Sequence, residues 1–285
     1  MEKEYFWIWL SSCEKIQRRK IYEFWKRKQE IKKEDIVHLD QLLGVKASVI
    51  EEMKRPDYQE DVKRKIEWMK KNHIFCLLFD DEHYPTLLKQ IYDPPVVLYG
   101  KGNKENLKSF FLAMIGCREY SQYGKRVAYD MAKELAMQKV GIVSGLARGI
   151  DTFSHIGCLS GKGKTIAVLG NGLDSVYPKE NKKLAEVIVQ QGGTLLSEYM
   201  VGTKPNKMHF PARNRLISGI SQGILVVEAR RKSGTMITVD YAIEQGKTVF
   251  AVPGNIGQSN AEGTNQLIQE GAKMVTKIRD ILEEY

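Results

Sequence analysis

Short apolar runs alternate with amphipathic segments over most of the chain beyond residue 72. The runs are almost continuously apolar, which is typical of strands covered on both faces, and the intervening segments repeat apolar residues at helical spacing. The predicted strands cover residues 74–79, 96–99, 111–115, 141–144, 165–169, 193–196, 224–227, 248–252 and 273–275. The predicted helices cover residues 123–138, 152–159, 179–190, 213–218, 236–244 and 264–269. The alternation predicts an α/β fold with an extended, Rossmann-like, doubly wound and mostly parallel sheet.

The first part of the chain has a different pattern. Apolar residues such as Ile21 and Phe24 recur at helical spacing between many charged residues, and no strand-like run is present. We expect a small all-helical N-terminal domain over residues 1–71 and the Rossmann-like domain over residues 72–285. Gly44 fits either the turn of a helix-hairpin-helix DNA-binding module or, as we favour, the C-terminal cap of a packed helix.

The composition is that of a globular protein, with 285 residues of which 42% are hydrophobic. No apolar run reaches about 18 residues, so we expect no membrane span. The apolar cluster at residues 5–10 is too short for a secretory signal, and we expect a cytoplasmic protein. A net charge of +9 favours a polyanionic partner but does not locate its site, because the charge is spread along the chain.

The cysteines and histidines do not indicate a metal site. The four cysteines are widely separated, which fits neither a zinc spacing nor a disulfide framework. His155 and Cys158 would share one face of a helix, but two ligands do not make a metal site. We therefore expect no metal, no cofactor and buried structural roles for the thiols.

Glycine and basic residues follow six of the predicted strands. Ligands of a doubly wound sheet bind beyond the carboxyl ends of its strands, so these loops are expected to lie together. Glycine lets a ligand approach the backbone closely, and arginine matches the oxygens of a phosphate. The loops cover residues 116–124, 144–151, 170–179, 197–215, 228–235 and 253–255. We interpret them as one shared anion-binding site.

One of these loops contains the segment HFPARNR at residues 209–215, in which two arginines and an asparagine follow a proline. Proline fits the first turn of a helix, so Arg213 and Arg215 are expected near a helix N-terminus. Free backbone N–H groups at such an end already favour an anion. Lys204 and Lys207 precede the segment, and we interpret the whole as a phosphate-binding cluster.

Two other segments resemble nucleotide-binding motifs without matching them. Residues 157–165 resemble a P-loop, but the first glycine is one residue too early and the segment runs from helix to strand. Residues 170–175 resemble the dinucleotide fingerprint, but Ser175 replaces its third glycine and the next helix is delayed to about residue 179. Neither nucleotide hydrolysis nor a nicotinamide cofactor is favoured.

Candidate catalytic groups are few. Four carboxylates are expected at strand ends: Asp151, Asp174, Glu198 and Glu228. They could act as general bases, but among so many arginines carboxylates more often orient basic side chains. We therefore interpret them as positioning partners and expect no enzymatic activity.

The strand-end loops together resemble the DNA-processing protein A family, also called DprA or Smf. The resemblance covers about residues 74–275 in the order of the family, and its most specific motifs are VSGLARGID (143–151) and FPARNR (210–215). The other matching motifs are IGCR (115–118) with YG (123–124), AVLGNGLDSVYP (167–178), SEY (197–199), VEA (227–229) with SGT (233–235), and VFAVPG (249–254). Cys117 stands where the family commonly has serine or threonine, and we expect no winged-helix domain of the kind that some members carry.

The resemblance implies a bacterial protein that binds single-stranded DNA, protects incoming DNA during natural transformation and loads the recombinase RecA onto it, without turnover chemistry. It also implies a homodimer and a SAM-like N-terminal domain. By motif, the DNA-binding residues would be Arg118, Lys179 and Lys207, with Arg148, Arg213, Arg215, Gly116, Ser144, Gly145, Asn171, Gly172, Ser233 and Gly234 around them. The residues for self-association would be Leu267, Ile268 and Met274, although apolar residues there could equally belong to the core.

Two alternatives remain open. The layout is also similar to nucleotide phosphoribohydrolases of the LOG type, whose Gly-Gly-x-Gly-Thr loop would correspond to residues 232–235. The following helix offers Asp240 and Glu244 in place of the catalytic glutamate of those enzymes, but the missing glycine pair argues against hydrolysis. The second alternative is an adaptor whose helical N-terminal domain acts through protein contacts.

Overall fold

The computed structural model describes residues 2–28 and 31–285. The strands of these residues are β1 (Ile74–Leu78), β2 (Val97–Gly102), β3 (Phe111–Gly116), β4 (Gly141–Ser144), β5 (Thr165–Leu169), β6 (Thr194–Ser197), β7 (Gly223–Glu228), β8 (Thr248–Ala251) and β9 (Lys273–Met274). They form one sheet in the order β1-β2-β6-β5-β4-β3-β7-β8-β9. β2 is antiparallel to both β1 and β6, and all other neighbouring strands are parallel. The predicted fold class, an extended and mostly parallel Rossmann-like sheet, is confirmed.

Helices cover both faces of the sheet and fill the N-terminal part of the chain. Their ranges are α1 (Lys3–Ser11), α2 (Arg18–Arg27), α3 (Lys33–Val37), α4 (Leu39–Leu43), α5 (Ala47–Lys54), α6 (Pro56–Lys71), α7 (Gln122–Met137), α8 (Ile150–Ser160), α9 (Lys182–Gln190), α10 (His209–Ile220), α11 (Gly234–Glu244), α12 (Ser259–Gln269) and α13 (Arg279–Leu282). The described residues before β1 contain helices and no strand, as expected. Gly44 ends α4 with φ +59°, the left-handed conformation of a C-terminal cap.

The segment HFPARNR begins a helix earlier than the sequence predicts. α10 starts at His209, so Pro211 lies in its first turn, where the missing proline N–H removes no helical hydrogen bond. Arg213 and Arg215 therefore lie in the body of the helix, close to its N-terminal end.

The central strand β3 is buried on both faces because its residues alternate between two cores. Leu112 and Met114 belong to the core formed with α7 and α8. Ala113 and Ile115 belong to the core on the opposite face, which includes residues of α10, α11 and α12. An uninterrupted apolar strand is the sequence pattern that such two-sided burial requires.

The N-terminal helices share a hydrophobic core with the antiparallel side of the sheet. Trp7 and Trp25 pack with ring centroids 4.5 Å apart, in the same cluster as Val97 and Tyr99 of β2. α6 ends at Lys71 and β1 begins at Ile74, so the change of pattern in the sequence coincides with the change from helices to the sheet. The N-terminal helices are thus in direct apolar contact with the Rossmann-like part.

Helices α7 and α8 pack closely at Gly157. A Cβ atom at this position would lie 2.2 Å from the backbone oxygen of Tyr129 on α7, so only glycine permits the observed separation of the two helices. Gly234, by contrast, has no heavy atom within 4 Å of the equivalent point.

We expect Gly157→Ala to lower the free energy of unfolding by about 1–2 kcal/mol, because overpacking against backbone outweighs the better helix propensity of alanine. Chemical denaturation of the purified variant measures the change. Gly234→Ala is the matched control and should leave the stability equal or slightly higher. Equal stability of Gly157→Ala and the unsubstituted protein would contradict the close packing of α7 on α8.

Candidate functional site

A crevice opens at the carboxyl ends of the strands where the chain order of the sheet reverses. β3 has β4 on one side and β7 on the other, so the loops that follow β3 and β7 diverge, as at the ligand sites of other doubly wound sheets. The cavity has a volume of about 640 Å³. Basic residues of several loops line it: Arg118, Lys207, Arg213, Arg230 and Lys232. Five of the six predicted loops, those after β3, β4, β5, β6 and β7, therefore contribute to one cationic cavity, whereas the loop after β8, residues 253–255, does not line it.

Arg118 and Lys207 line this crevice from two different loops. Arg118 follows β3, and Lys207 comes just before α10; both side chains are exposed. Gly116, Ser233 and Gly234 also line the crevice, the last two at the beginning of α11. A smaller cavity adjoins this one and includes Gly145 and Arg148. The two cavities share Arg118, Arg213, Tyr177 and Phe210.

Arg213 reaches the crevice wall but its guanidinium is turned into the protein. The residue is only 5% exposed, and its Nη1 donates to the backbone oxygens of Gly145, at 2.9 Å, and Val168. A Cβ on Gly145 would lie 2.7 Å from Arg213 Nη2, so glycine is needed there to admit the guanidinium. Arg213 thus joins the ends of β4 and β5 rather than pointing into open solvent.

Asp151 completes this buried arrangement. Its Oδ2 accepts hydrogen bonds from the backbone N–H groups of Gly145, at 3.1 Å, and Ala147, at 3.2 Å. Burial raises the pKa of the Asp151 carboxyl, and the charge of Arg213 and the backbone donors offset only part of the increase. Burial also lowers the pKa of Arg213 to about 10, where the group is still protonated at neutral pH. The pair holds the β4–α8 loop in shape.

Arg215 points away from the crevice and lies in a buried ionic network. Its Nη1 and Nη2 donate to Glu198 at 2.9 and 2.7 Å, and its Nε donates to Asp93 at 2.9 Å. The residue is 3% exposed. The sequence suggested that this arginine lies with the DNA contacts, whereas its donors are directed to two carboxylates of the protein.

The same network reaches the N-terminal helices through Arg18. Arg18 Nε lies 2.5 Å from Glu198 Oε2, and its guanidinium stands over the Tyr199 ring at 4.6 Å. Tyr199 stacks in turn on His209, the first residue of α10, with ring centroids 4.1 Å apart. Residues of α2 and α10 therefore meet on the two residues that follow β6.

Glu198 remains ionised despite complete burial. Burial alone raises the pKa of its carboxyl, but the charges of Arg215 and Arg18 and their hydrogen bonds outweigh it and hold the pKa below its ordinary value. The interpretation of Glu198 as a partner of arginine is confirmed.

The other candidate general bases accept hydrogen bonds from the protein rather than from arginine. Glu228 Oε2 accepts from the backbone N–H of Ser121 at 3.0 Å, and Ser121 Oγ caps α7 by accepting from Gly124 at 3.0 Å. Asp174 Oδ1 accepts from the backbone N–H of Gly202 at 2.8 Å. Asp240 and Glu244, the carboxylates that a phosphoribohydrolase would need, are exposed on α11 and do not line the crevice.

Several predicted site residues lie outside both cavities. Asn171 and Ser144 are buried and donate to backbone oxygens, Asn171 to Ser175 at 2.8 Å and Ser144 to Met114 at 2.7 Å. Gly172 lies in the same loop as Asn171 and lines neither cavity. Lys179 is exposed at the start of a short 3₁₀ helix (Lys179–Asn181). Arg148, which lines the smaller cavity, pairs with Glu180 of this helix. These residues shape the loops or extend the rim of the crevice.

The predicted site residues omitted Arg230 and Lys232, although both line the crevice. Both could have been predicted from the sequence, because they belong to a basic loop directly after β7. Arg230 Nη2 contacts Glu119 Oε2 at 2.6 Å, which ties the β7–α11 loop to the β3–α7 loop. Two aromatic rings also meet at the cavities: Tyr177 and Phe210 are stacked with centroids 5.2 Å apart.

The residues that the resemblance suggests for self-association lie at different depths. Leu267 is 4% exposed and belongs to the core with α10 and α11, whereas Ile268 is partly buried against the same core. Met274, in the edge strand β9, is 51% exposed. Within residues 2–28 and 31–285, no group of three or more histidine, cysteine or carboxylate side chains could hold a metal ion. Nor do these ranges contain a helix long and apolar enough to cross a membrane.

A family model places this chain among known proteins. The model for DNA recombination-mediator protein A matches residues 75–285, which include all the strand-end loops of the crevice. The chain belongs to that family. The resemblance to DprA and Smf proteins that the motifs indicate is thereby confirmed.

Individual relatives support the assignment to the DprA/Smf family. The DNA processing protein DprA of Streptococcus pneumoniae is 47% identical over 205 residues, which is 72% of each chain. Protein Smf of Escherichia coli is 44% identical over 216 residues, 76% of this chain and 58% of that protein.

Solved structures of family members have the same fold. The X-ray structure of DprA from S. pneumoniae superposes with a TM-score of 0.83 at 36% identity and covers 100% of this chain and 98% of that chain. DNA processing protein A from Helicobacter pylori, described for its single-stranded DNA binding mode, superposes with a TM-score of 0.67 at 32% identity. The superposition covers 74% of this chain and 97% of that chain.

We expect Glu198→Gln to lower the free energy of unfolding at neutral pH by about 3 kcal/mol, because it leaves the buried Arg215 guanidinium without the carboxylate that its two Nη atoms contact. Since the folded pKa of Glu198 lies below the unfolded value of about 4.3, its contribution is present above that pH and is lost as the pH falls through the folded pKa. The difference in the free energy of unfolding between the variant and the unsubstituted protein should therefore become smaller in acid. Urea unfolding at several pH values measures this difference.

Glu67→Gln, at an exposed position of α6, serves as the matched control and should change the stability little at any pH. A stability gap for Glu198→Gln that stayed constant down to about pH 3 would contradict an ionised Glu198 in the folded protein.

Proposed function

We propose that this protein binds single-stranded DNA across the crevice, with phosphates on Arg118 and Lys207 and with the exposed cations Lys179, Arg230 and Lys232 along the rim. The observation that carries the proposal is the division of the arginines and lysines into two sets. Arg213 and Arg215 are buried on protein acceptors, whereas Arg118 and Lys207 are exposed and line the same cavity. Exposed cations in a groove are the means by which proteins hold a nucleic-acid backbone without reading its sequence.

Two aromatic rings give the crevice a second means of binding. Tyr177 is exposed, and Phe210 lines both cavities beside it. Aromatic rings in such grooves stack on bases, and each stacked base adds about 1–3 kcal/mol. This combination of rings and cations favours single strands, because the bases of a duplex are already stacked on one another. The single-stranded DNA binding described for the H. pylori relative supports the same ligand class.

A binding role accounts for the crevice better than hydrolysis. Among its lining residues, within the described part of the chain, the carboxylates are Glu119 and Asp151. Glu119 is paired with Arg230, and Asp151 is buried on backbone N–H groups. A general base must reach the substrate or a water beside it, and neither group is free to do so. We therefore favour DNA binding over the phosphoribohydrolase alternative.

The wider role that we propose follows from family membership. The protein would protect incoming DNA during natural transformation in the bacterial cytoplasm, load RecA onto it, and act as a homodimer. Of the candidate residues for self-association, Met274 is the one whose exposure suits a subunit contact, whereas Ile268 is partly buried against the core. A RecA-dependent strand-exchange assay with added protein addresses the loading step directly.

We expect the double variant Arg118→Glu and Lys207→Glu to bind a fluorescent single-stranded oligonucleotide roughly 100-fold more weakly at moderate salt, because two phosphate contacts become repulsive. The dependence of log affinity on log salt should become shallower by about two units. Fluorescence anisotropy over a salt series measures both quantities.

Lys104→Glu with Lys164→Glu is the matched control. These exposed lysines precede β3 and β5, at the opposite edge of the sheet, and the change in net charge is the same. The control should lose far less affinity than the crevice variant. Unchanged binding by the folded Arg118→Glu, Lys207→Glu protein would refute the proposed site.

A further inference from the structure

A small aromatic and cationic surface lies directly outside the crevice. Tyr120, in the β3–α7 loop, meets Phe153 of α8 edge to face, with ring centroids 4.7 Å apart at 74°. Lys125 of α7 places its Nζ 5.1 Å from the centroid of the Phe153 ring. We call these three residues the Tyr120 surface. It lies outside both cavities, and none of the roles assigned above uses it.

The loop that carries Tyr120 is held at both ends. The backbone N–H of Cys117 donates to the Glu228 oxygen at 2.9 Å, and that of Ser121 donates to Glu228 Oε2 at 3.0 Å. The Cys117 oxygen in turn accepts from Ile150 at 3.1 Å. Tyr120 is nevertheless 39% exposed. A ring that is fixed in place and open to solvent can bind a planar group with little loss of conformational entropy.

The Tyr120 surface follows the crevice along the β3–α7 loop. Arg118 and Glu119 line the crevice and directly precede Tyr120 in the chain. Because consecutive Cα atoms are about 3.8 Å apart, the backbone of Tyr120 lies within about 8 Å of these crevice residues. A strand that leaves the crevice on this side would pass close to Tyr120.

The carboxylates beside this surface are already bonded within the protein. Glu228, 5% exposed, accepts from the backbone N–H of Ser121, and Glu119 is paired with Arg230, 2.6 Å from its Nη2. Glu180 is paired with Arg148. Lys125 is exposed and contacts the face of Phe153 rather than a carboxylate, so its charge is available to a phosphate.

We propose that the Tyr120 surface binds the next part of the single-stranded DNA that leaves the crevice, with a base stacked on Tyr120 and a phosphate paired with Lys125. The proposal rests on the proposed function of the crevice and extends it to a longer strand. It has a specific consequence: Tyr120 contributes to binding only when the DNA is long enough to reach beyond the crevice.

Oligonucleotide length separates this surface from the crevice. Affinities would be measured for oligothymidylates of about 6 and about 20 nucleotides, which lie near and beyond the span of one small binding groove. We expect Tyr120→Leu to weaken binding of the longer DNA by roughly 5- to 100-fold, the range for one stacked base, and to leave the shorter DNA within about twofold. Lys125→Gln should reduce the salt dependence by about one unit for the longer DNA alone.

Two control variants accompany Tyr120→Leu. Tyr120→Phe keeps the ring and should bind both lengths like the unsubstituted protein. Tyr92→Leu removes another exposed tyrosine, whose ring centroid lies 4.1 Å from Cζ of Arg19. Tyr92 does not line the crevice, so this variant should also bind both DNA lengths with unchanged affinity. If Tyr120 had only a structural role, Tyr120→Leu would lower the thermal stability and weaken the binding of both DNA lengths to the same degree. That result would overturn the proposal.

A spectroscopic variant tests the contact independently of affinity. In Tyr120→Trp, the longer DNA should quench fluorescence beyond the change seen in the unsubstituted protein, and the shorter DNA should not. Normal binding of both lengths by Tyr120→Leu, or equal quenching by both lengths, would overturn this proposal while leaving the crevice function intact. Absence of any binding by the unsubstituted protein would overturn both proposals.

Discussion

The structure depends on one buried charge, the carboxylate of Glu198. A buried carboxylate is stable only if cations and hydrogen-bond donors replace its lost hydration, and here Arg215 and Arg18 supply both. Arg215 belongs to α10 and Arg18 to α2, so this requirement ties the crevice helix to the N-terminal helices. The position of Lys207, just before α10, follows from the same contacts.

The ionic groups of the protein divide between two tasks. Arg213 and Arg215 satisfy backbone oxygens and carboxylates inside the fold, and this fixes the loops after β4, β5 and β6. The exposed cations at the carboxyl ends of the strands are then held on a rigid frame. A rigid frame matters for a flexible polymer ligand, because the protein adds little ordering entropy of its own on binding.

The sequence predicts the sheet and the location of the site, but not the direction of every side chain. Apolar strands and the glycine and arginine loops after them depend on local pattern, so the strand-end cluster could be predicted. Arg213 and Arg215 point into the protein because of hydrogen-bond partners that are distant along the chain. Val168 is 45 positions from Arg213, and Asp93 is 122 positions from Arg215, so no local pattern reveals them. Leu267 likewise belongs to the core because of neighbours that are distant along the chain.

The edge of the sheet at β9 has a consequence for assembly. An exposed strand with unpaired backbone groups invites other chains to add to it, and proteins limit this by keeping edge strands short and charged. β9 spans only Lys273–Met274, and Lys273 is paired with Glu284. Continuous growth of the sheet from one molecule to the next is therefore disfavoured at this edge. Any contact between copies at this edge would therefore rest on side chains rather than on strand pairing.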